Sequence, residues 1–415
     1  MMSRRLLPFS LPVLLVAFLA ACAPTTRPAV EHDSVLLVSL DGFRADYLDL
    51  GITPNLSRLA GEGVRAEWMT PSYPSLTFPN HYTIVTGLRP DHHGIVHNTM
   101  RDATLGTFGL SNRAAVGNGN WWAGEPIWVG AAKAGLPSAT LFWPGSEAAI
   151  QGVRPTRWQP FDDTVPLPAR VDTVVGWLSE PPTTRPRIAT LYFETIDHDS
   201  HDHGPDSAEA YRAVRTVDAA IGQLLDGLSA RGVLDHTNLV IVSDHGMAAV
   251  APGNAVAIED MVDPADADNV TAGQSVGFQP RPGREAQAEA QLLGMHPHYR
   301  CWRKAQLPAR WQYGRHPRVP PIVCQMQDGW DARTREAIAK RSGNTTRGSH
   351  GYDPASPSMR ALFIARGPAF RQGVRLPPFD NVDVYPLLTR LIGVQAADND
   401  GNPATLTPAL RESQR

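Results

Sequence analysis

Short, unbroken apolar runs recur along the chain: Val35–Val38 continuing through Leu40, Ala139–Trp143, Ala189–Phe193, Leu239–Val242 and Ala361–Ile364. Their length suits strands, and their lack of polar alternation suits strands covered on both faces. Between the third and fourth runs the spacing changes. Val214, Val217, Ile221, Leu224, Leu225 and Leu228 recur at helical intervals, which predicts a long amphipathic helix with Asp206 and Glu209 as a capping box at its start. After the first run, Thr53-Pro54 reads as an N-cap and a first-turn proline, and Gly61 and Gly63 end that helix. Strand followed by helix, repeated, predicts an α/β fold with a mostly parallel central sheet flanked by helices.

The pattern lapses between Met247 and Asn344, a stretch rich in Pro, Ala, Gln and Arg with several Trp and few clean strands. Residues 247–344 are predicted to be an inserted cap between α/β segments 34–246 and 345–400, leaving 401–415 as a C-terminal tail. At the other end, Arg4 and Arg5 precede an apolar run, Leu11–Ala21, that is too short to span a bilayer. A signal peptide over 1–22 and a Pro/Thr-rich linker over 23–33 are expected. Leu19-Ala20-Ala21-Cys22 resembles a bacterial lipoprotein processing box, in which Cys22 becomes a lipidated N-terminus anchored to the membrane; cleavage at small residues is the plainer reading. Either way the chain is expected to be exported, to the periplasm or the envelope of a bacterium.

Composition adds two constraints. A hydrophobic content of 42% over 415 residues supports a large packed globule, and a net charge of -3 offers no basic footprint for a nucleic acid duplex. Apart from Cys22 there are only Cys301 and Cys324, an even pair in an oxidising compartment. A disulfide between them is expected, bracing the cap over the active site. Because the candidate chemistry lies outside the insertion, the cap is expected to affect substrate recognition and not metal retention.

That chemistry gathers where apolar runs stop, and in open α/β sheets ligands bind at the carboxyl ends of strands. Asp41 follows the first run, Asp197 and His201 lie in ETIDHDSH, Asp244 and His245 end LVIVSDH, and His350 lies in GSHGY. Alone, Asp41 could be a turn residue. Asp244-His245 sets carboxylate oxygen beside imidazole nitrogen, a donor pair suited to zinc, and Gly246 is expected to free the turn. Asp197 and His201 share a face if the chain is helical there, but His198, Asp199, Asp202 and His203 compete with them. Thr77, in SYPSLTFPN, precedes Pro79 and a helical stretch. It could be a simple N-cap, or a hydroxyl placed at a helix N-terminus where free N–H groups favour phosphate. No base is adjacent, so a metal would have to activate it.

Taken together and in order, SLDGFR, PSLTFPNHY, TGLRPDHHGIVHN, ETIDHDSHDHGPDS, VSDHGM and GSHGY closely resemble the nucleotide pyrophosphatase/phosphodiesterase family of the alkaline phosphatase superfamily, here in bacterial form. The resemblance runs from Val35 to about Leu391 and implies an alkaline-phosphatase-like fold. It implies two zinc ions, one held by Asp197, His201 and His350 and the other by Asp41, Thr77, Asp244 and His245. It further implies that Thr77 is the nucleophile, that Asn98 donates to a phosphoryl oxygen, and that Phe78 and Tyr192 sandwich a base. Read without the family, Asn98 could be a turn residue and the two aromatics core. The implied reaction is hydrolysis of nucleotide diesters and pyrophosphates to nucleoside 5′-monophosphates through phospho-threonine. The sulfatase context CxPxR is missing from SLTFPN. A monoesterase or phosphonate hydrolase of the same superfamily stays open, as does, in another class, a catalytically inactive envelope binding protein.

Overall fold

In the computed structural model, which describes residues 32–340 and 345–412, the first apolar run becomes the strand Ser34–Leu40 near the middle of an eight-stranded sheet. On one side lie Ile188–Phe193, Ser138–Leu141 and Arg157–Gln159; on the other lie Thr237–Val242, Phe363–Arg366, Val64–Ala66 and Val374–Leu376. Phe363–Arg366 runs antiparallel to both neighbours, and the remaining pairs are parallel. The register sets Leu40 beside Phe193 and Ser39 beside Val242, so three adjacent strands stop level with one another.

Side-chain alternation explains why these runs carry no polar face. Val35, Leu37, Val240 and Val242 enter one core, while Leu36, Val38, Leu40, Leu239 and Ile241 enter the core on the opposite side. The second core also takes Val214, Val217, Ile221, Leu224 and Leu228 from the helix Ala208–Ala230. Its N-cap is Ser207, whose hydroxyl accepts from the Ala210 N–H at 3.0 Å, and not Asp206. Asp206 pairs instead with Arg44 at 3.0 Å, a use for a carboxylate that helix spacing does not disclose. The helix Pro54–Glu62 begins after Thr53 as expected, but the Thr53 hydroxyl makes no cap bond. Asp218 of the long helix caps it from outside, accepting from the N–H groups of Asn55 and Leu56 at 3.2 and 2.9 Å. That helix continues through Gly61 and stops at Gly63.

The insertion differs from its reading as a region of few strands. It folds into a five-stranded antiparallel sheet in the order Ala267–Thr271, Ser275–Pro280, Ile322–Met326, Tyr299–Arg303 and Gly294–Met295. Val276, Phe278, Leu292, Ile322 and Met326 form its core. Short strands separated by Pro and polar residues carry too few periods to stand out. Cys301 and Cys324 face each other on neighbouring strands and are joined by the expected disulfide. The stretch expected as a tail also packs: Leu406, Ala409 and Leu410 are buried in the core, and Arg371 N–H donates to Ala409 O at 2.9 Å. No helix among the described residues is long and apolar enough to cross a membrane. The expected signal peptide, Cys22 and nearly all of the linker lie outside the described residues.

Candidate active site

The level strand ends deliver three carboxylates to one place. Asp41 directly follows its strand, Asp244 lies two residues beyond its own, and Asp197 stands in the first turn of the helix Thr195–His203 that continues from Ile188–Phe193. Gly42 makes the approach possible. It has φ +69°, and a Cβ there would sit 3.1 Å from Asp197. Gly246 acts differently from the expected freedom of turn. A Cβ on it would lie 2.2 Å from the Ser358 carbonyl oxygen, so the requirement is space.

Three histidines complete the cluster, each aimed by a backbone carbonyl. Nδ1–H of His201 donates to Gly348 O at 2.9 Å, that of His245 to Gly246 O at 2.9 Å, and that of His350 to Ser75 O at 3.0 Å. Each Nε2 is thereby turned toward carboxylate oxygen. His201 Nε2 lies 3.4 Å and His350 Nε2 3.5 Å from Asp197 oxygens, while His245 Nε2 lies 2.9 Å from Asp244 and 3.6 Å from Asp41. Helical spacing puts Asp197 and His201 on one face, while of their rivals His198, Asp202 and His203 are exposed, Asp199 is half-buried, and Asp202 pairs with Arg347.

Donor chemistry tests whether cations fit. Among the described residues, Asp41 Oδ1 and Asp197 Oδ1 are buried without a hydrogen-bond partner, and Asp244 Oδ2 lies 2.9 Å from the His245 imidazole and 3.3 Å from that of His81. None of the three carboxylates has a Lys or Arg ion-pair partner among the described residues. Buried charge of one sign demands compensation, and carboxylate oxygen with imidazole nitrogen is a zinc-type donor set. Asp197, His201 and His350 form one group with ligand atoms within 4.8 Å of one another, and Asp41, Asp197 and His245 form another. Without an ion, burial and then the carboxylates of Asp244 and Asp197 push Asp41 well up. Burial acts on Asp244 in the same sense, but the His245 and His81 imidazoles outweigh it and hold that carboxyl well below its usual range. Burial, with His245 and His201 nearby, keeps His350 neutral and ready to ligate.

Thr77 opens the helix Thr77–Thr86 as its first residue, with Leu76 as the N-cap, so it is not the N-cap threonine considered from sequence. Its Oγ1 lies 3.3 Å from His245 Nε2, at the edge of the cluster. The next residue, Phe78, donates its N–H to Asn98 Oδ1 at 3.0 Å, which leaves the Asn98 NH2 group without a partner among the described residues. A cavity of about 190 Å³ adjoins these groups and is lined by Thr77, Phe78, Phe142, Phe161 and Tyr192 together with Asp41 and Asp197. A larger cleft of about 490 Å³, beside Lys304 and Tyr313, shares no residue with the cluster.

Two residues here escaped the sequence reading. His81 is fully buried, with Nδ1 2.8 Å from Thr77 O and 3.3 Å from Asp244, and Nε2 2.8 Å from the Ser39 hydroxyl. It can be grouped with Asp41 and Asp244 as a cation site, yet both ring nitrogens are already engaged, which makes it a support for the ligands. Its position four residues after Thr77 in a predicted helix was the available signal. Phe161 carried no signal, because it lies in an irregular stretch. Tyr192 lines the cavity but is 7% exposed, and its hydroxyl donates to Asp41 Oδ2 at 2.5 Å. Phe161 meets the Tyr192 ring edge-on at 5.9 Å and supplies the further aromatic wall.

Comparison with known proteins shows the family and the fold. The profile of the type I phosphodiesterase / nucleotide pyrophosphatase family matches residues 35–353. An uncharacterized pyrophosphatase/phosphodiesterase of Schizosaccharomyces pombe is 35% identical over 92% of this chain and 81% of its own length. Ectonucleotide pyrophosphatase/phosphodiesterase family member 1 of Mus musculus is 36% identical over 94% of this chain, which spans only 44% of that relative. Among solved structures, an inactive threonine-to-alanine form of murine ectonucleotide pyrophosphatase/phosphodiesterase 5 in complex with AMP superposes with a TM-score of 0.86 at 31% identity, covering 92% of this chain and 100% of that one. The α/β fold is thus the alkaline-phosphatase-like one expected, while the relatives named here are eukaryotic and lend no support to a bacterial origin. The chain belongs to the type I phosphodiesterase/nucleotide pyrophosphatase family.

Proposed function

We propose that the protein is a two-zinc phosphodiesterase/pyrophosphatase that releases nucleoside 5′-monophosphates through a phospho-threonine intermediate. The observation carrying this reading is the Thr77 hydroxyl, 3.3 Å from His245 Nε2, between the carboxylate–imidazole cluster and the aromatic cavity. Asp197, His201 and His350 would hold one cation, and Asp41, Asp244 and His245, with Thr77, the other. Bound zinc supplies the positive charge that lowers the pKa of a hydroxyl and stabilises charge on attacking and leaving oxygens. Thr77 Oγ attacks phosphorus, the leaving oxygen departs with its alcohol or phosphate, and water then hydrolyses the phospho-threonine to free Thr77. Two displacements give net retention at phosphorus.

The Asn98 NH2 group donates to a non-bridging oxygen, while its Oδ1 stays on the Phe78 N–H. This helper is neutral, and Arg113 in the cavity wall is already paired with Glu147. Phosphodiesters and pyrophosphates, with one negative charge fewer at the reacting phosphorus than a monoester, suit such a site. Phe78 and Phe161, with Tyr192 behind them, offer apolar walls to a base. The AMP in the murine structure supports a nucleotide ligand. The Cys301–Cys324 bond supports an exported protein, and Cys22 a lipid anchor in a bacterial envelope.

A substrate panel with metal analysis on the same sample tests the proposal. The p-nitrophenyl ester of thymidine 5′-monophosphate is expected to turn over at least ~100-fold faster in kcat/KM than p-nitrophenyl phosphate, a difference of about 2.7 kcal/mol in transition-state binding. Close to two zinc ions per chain are expected with it. Preference for the monoester would transfer the protein to the phosphatase reading, and full activity with one or no metal would end the two-zinc reading.

A further inference from the structure

The insertion touches the ligand set that sequence places outside it. His350 is held from two directions, and both lead to the five-stranded sheet. Along the chain, the preceding residue Ser349 receives a hydrogen bond through its hydroxyl from Gln274 Nε2, and Gln325 Nε2 points at the carbonyl of the following Gly351 at 3.5 Å. Gln325 Nε2 also donates to the Gln274 main-chain carbonyl at 3.1 Å, which ties the Gln325 side chain to the backbone that carries Gln274. Gly351 itself is wedged: with φ +104°, a Cβ there would lie 2.8 Å from Leu76 and 3.4 Å from Gln274 Oε1. Gln274 and Gln325 are 5% and 8% exposed, so water does not compete for these bonds.

The second direction runs through the ring. His350 Nδ1–H donates to Ser75 O, and the Ser75 hydroxyl donates to Tyr352 O at 3.0 Å. Two residues before Ser75, the Tyr73 ring is stacked flat on Trp311, with centroids 4.0 Å apart and planes within 1°. Its hydroxyl lies 3.0 Å from Ser275 Oγ, and Tyr313 meets its edge at 5.2 Å. Trp311, Tyr313 and Ser275 all belong to the insertion. The segment Ser72–Leu76 is therefore clamped between the insertion and the helix that begins with Thr77, whose Asn80 donates to Pro74 O and Leu76 O, each at 2.9 Å.

We infer that Gln274 and Trp311 are positioning residues for His350, and that the insertion thereby sets cation affinity at the Asp197/His201/His350 group and not at the Asp41/Asp244/His245 group. The inference rests on reading the cluster as a cation site. The groups that aim a ligating imidazole characteristically change metal affinity 10- to 100-fold when removed. Gln274 and Trp311 act one step further out, through Ser349 and Tyr73, so the lower end applies.

The test uses zinc alone, titrated against a chromophoric chelator with metal-stripped full-length protein, so it is independent of any substrate. Two backgrounds separate the groups: His245→Ala leaves the Asp197/His201/His350 group to be read, and His201→Ala leaves the other. In the first background Trp311→Leu and Gln274→Leu are each expected to weaken zinc binding about tenfold, with Trp311→Phe restoring affinity because it keeps a stacking face. In the second background all three are expected to change affinity less than threefold. Equal weakening in both backgrounds would show a general loss of structure, and no weakening in the first would show that His350 is aimed without the insertion; either result overturns the inference. Failure here, with diesters still cleaved by two-zinc protein, would leave the proposed function standing.

Discussion

At the scale of single residues, Thr77 carries the largest consequence. It is 9% exposed, occupies the first position of its helix, and faces His245 across 3.3 Å. Thr77→Ala removes the hydroxyl and the γ-methyl while Asp41, Asp244 and His245 stay in place. Turnover of diesters is expected to fall roughly a thousandfold or more, as for lost nucleophiles in hydrolases, with zinc content unchanged by metal analysis. A variant within tenfold of the parent rate would place the nucleophile elsewhere. Asp41, Asp244 and His245 were legible because the chain presents them where apolar runs end, while His201 and His350 stood out only through the motifs around them. His81 and Phe161 were not legible, since a buried histidine and an aromatic in an irregular stretch look the same from sequence whether or not they face a cavity.

At the scale of elements, the insertion changes most between sequence and structure. Tyr299–Arg303 alternates, with Tyr299 and Cys301 buried and Arg300 exposed, while Ser275–Pro280 and Ile322–Met326 are almost wholly buried, and each strand is too short for its pattern to declare itself. The disulfide closes a sequence separation of 23 residues, for which chain entropy implies about 3 kcal/mol of stabilisation. Replacing both Cys301 and Cys324 with serine is expected to lower stability by about that amount in urea unfolding. Cys324 is followed by Gln325, one of the groups behind His350, so the same variant is expected to bind zinc more weakly at the Asp197/His201/His350 group. Unchanged zinc affinity is the outcome expected if the cap serves substrate recognition alone. Unchanged unfolding midpoints would show that the bond adds nothing to the folded sheet.

At the scale of the whole molecule, buried histidines link folding to acidity. Burial pushes His93 down to about 3 and His97 to about 4, against an unfolded value near 6.5. Below pH 6.5 the unfolded chain takes up protons that the folded chain refuses, so stability is fully present above that pH and is lost as pH falls toward 4. Each group contributes a limiting slope of about 1.4 kcal/mol per pH unit. His97→Asn keeps an acceptor for the Thr99 N–H, now made to His97 Nδ1 at 3.1 Å, and is expected to flatten the dependence of melting temperature between pH 6.5 and 4. An identical slope in that variant would assign the loss to other groups. What the sequence alone determined about this protein is the central strands of the main sheet and the long helix packed on it, because apolar continuity and helical spacing are local properties; the seven candidate ligands, Asp41, Thr77, Asp197, His201, Asp244, His245 and His350, came from the resemblance of whole motifs to a family. What only the tertiary structure decided is which rivals of Asp197 and His201 stay in solvent, that Asp218 and Ser207 do the capping, and that the insertion grips His350. Those depend on register, on the direction of each side chain and on partners up to hundreds of positions away in the chain, and no local pattern encodes them.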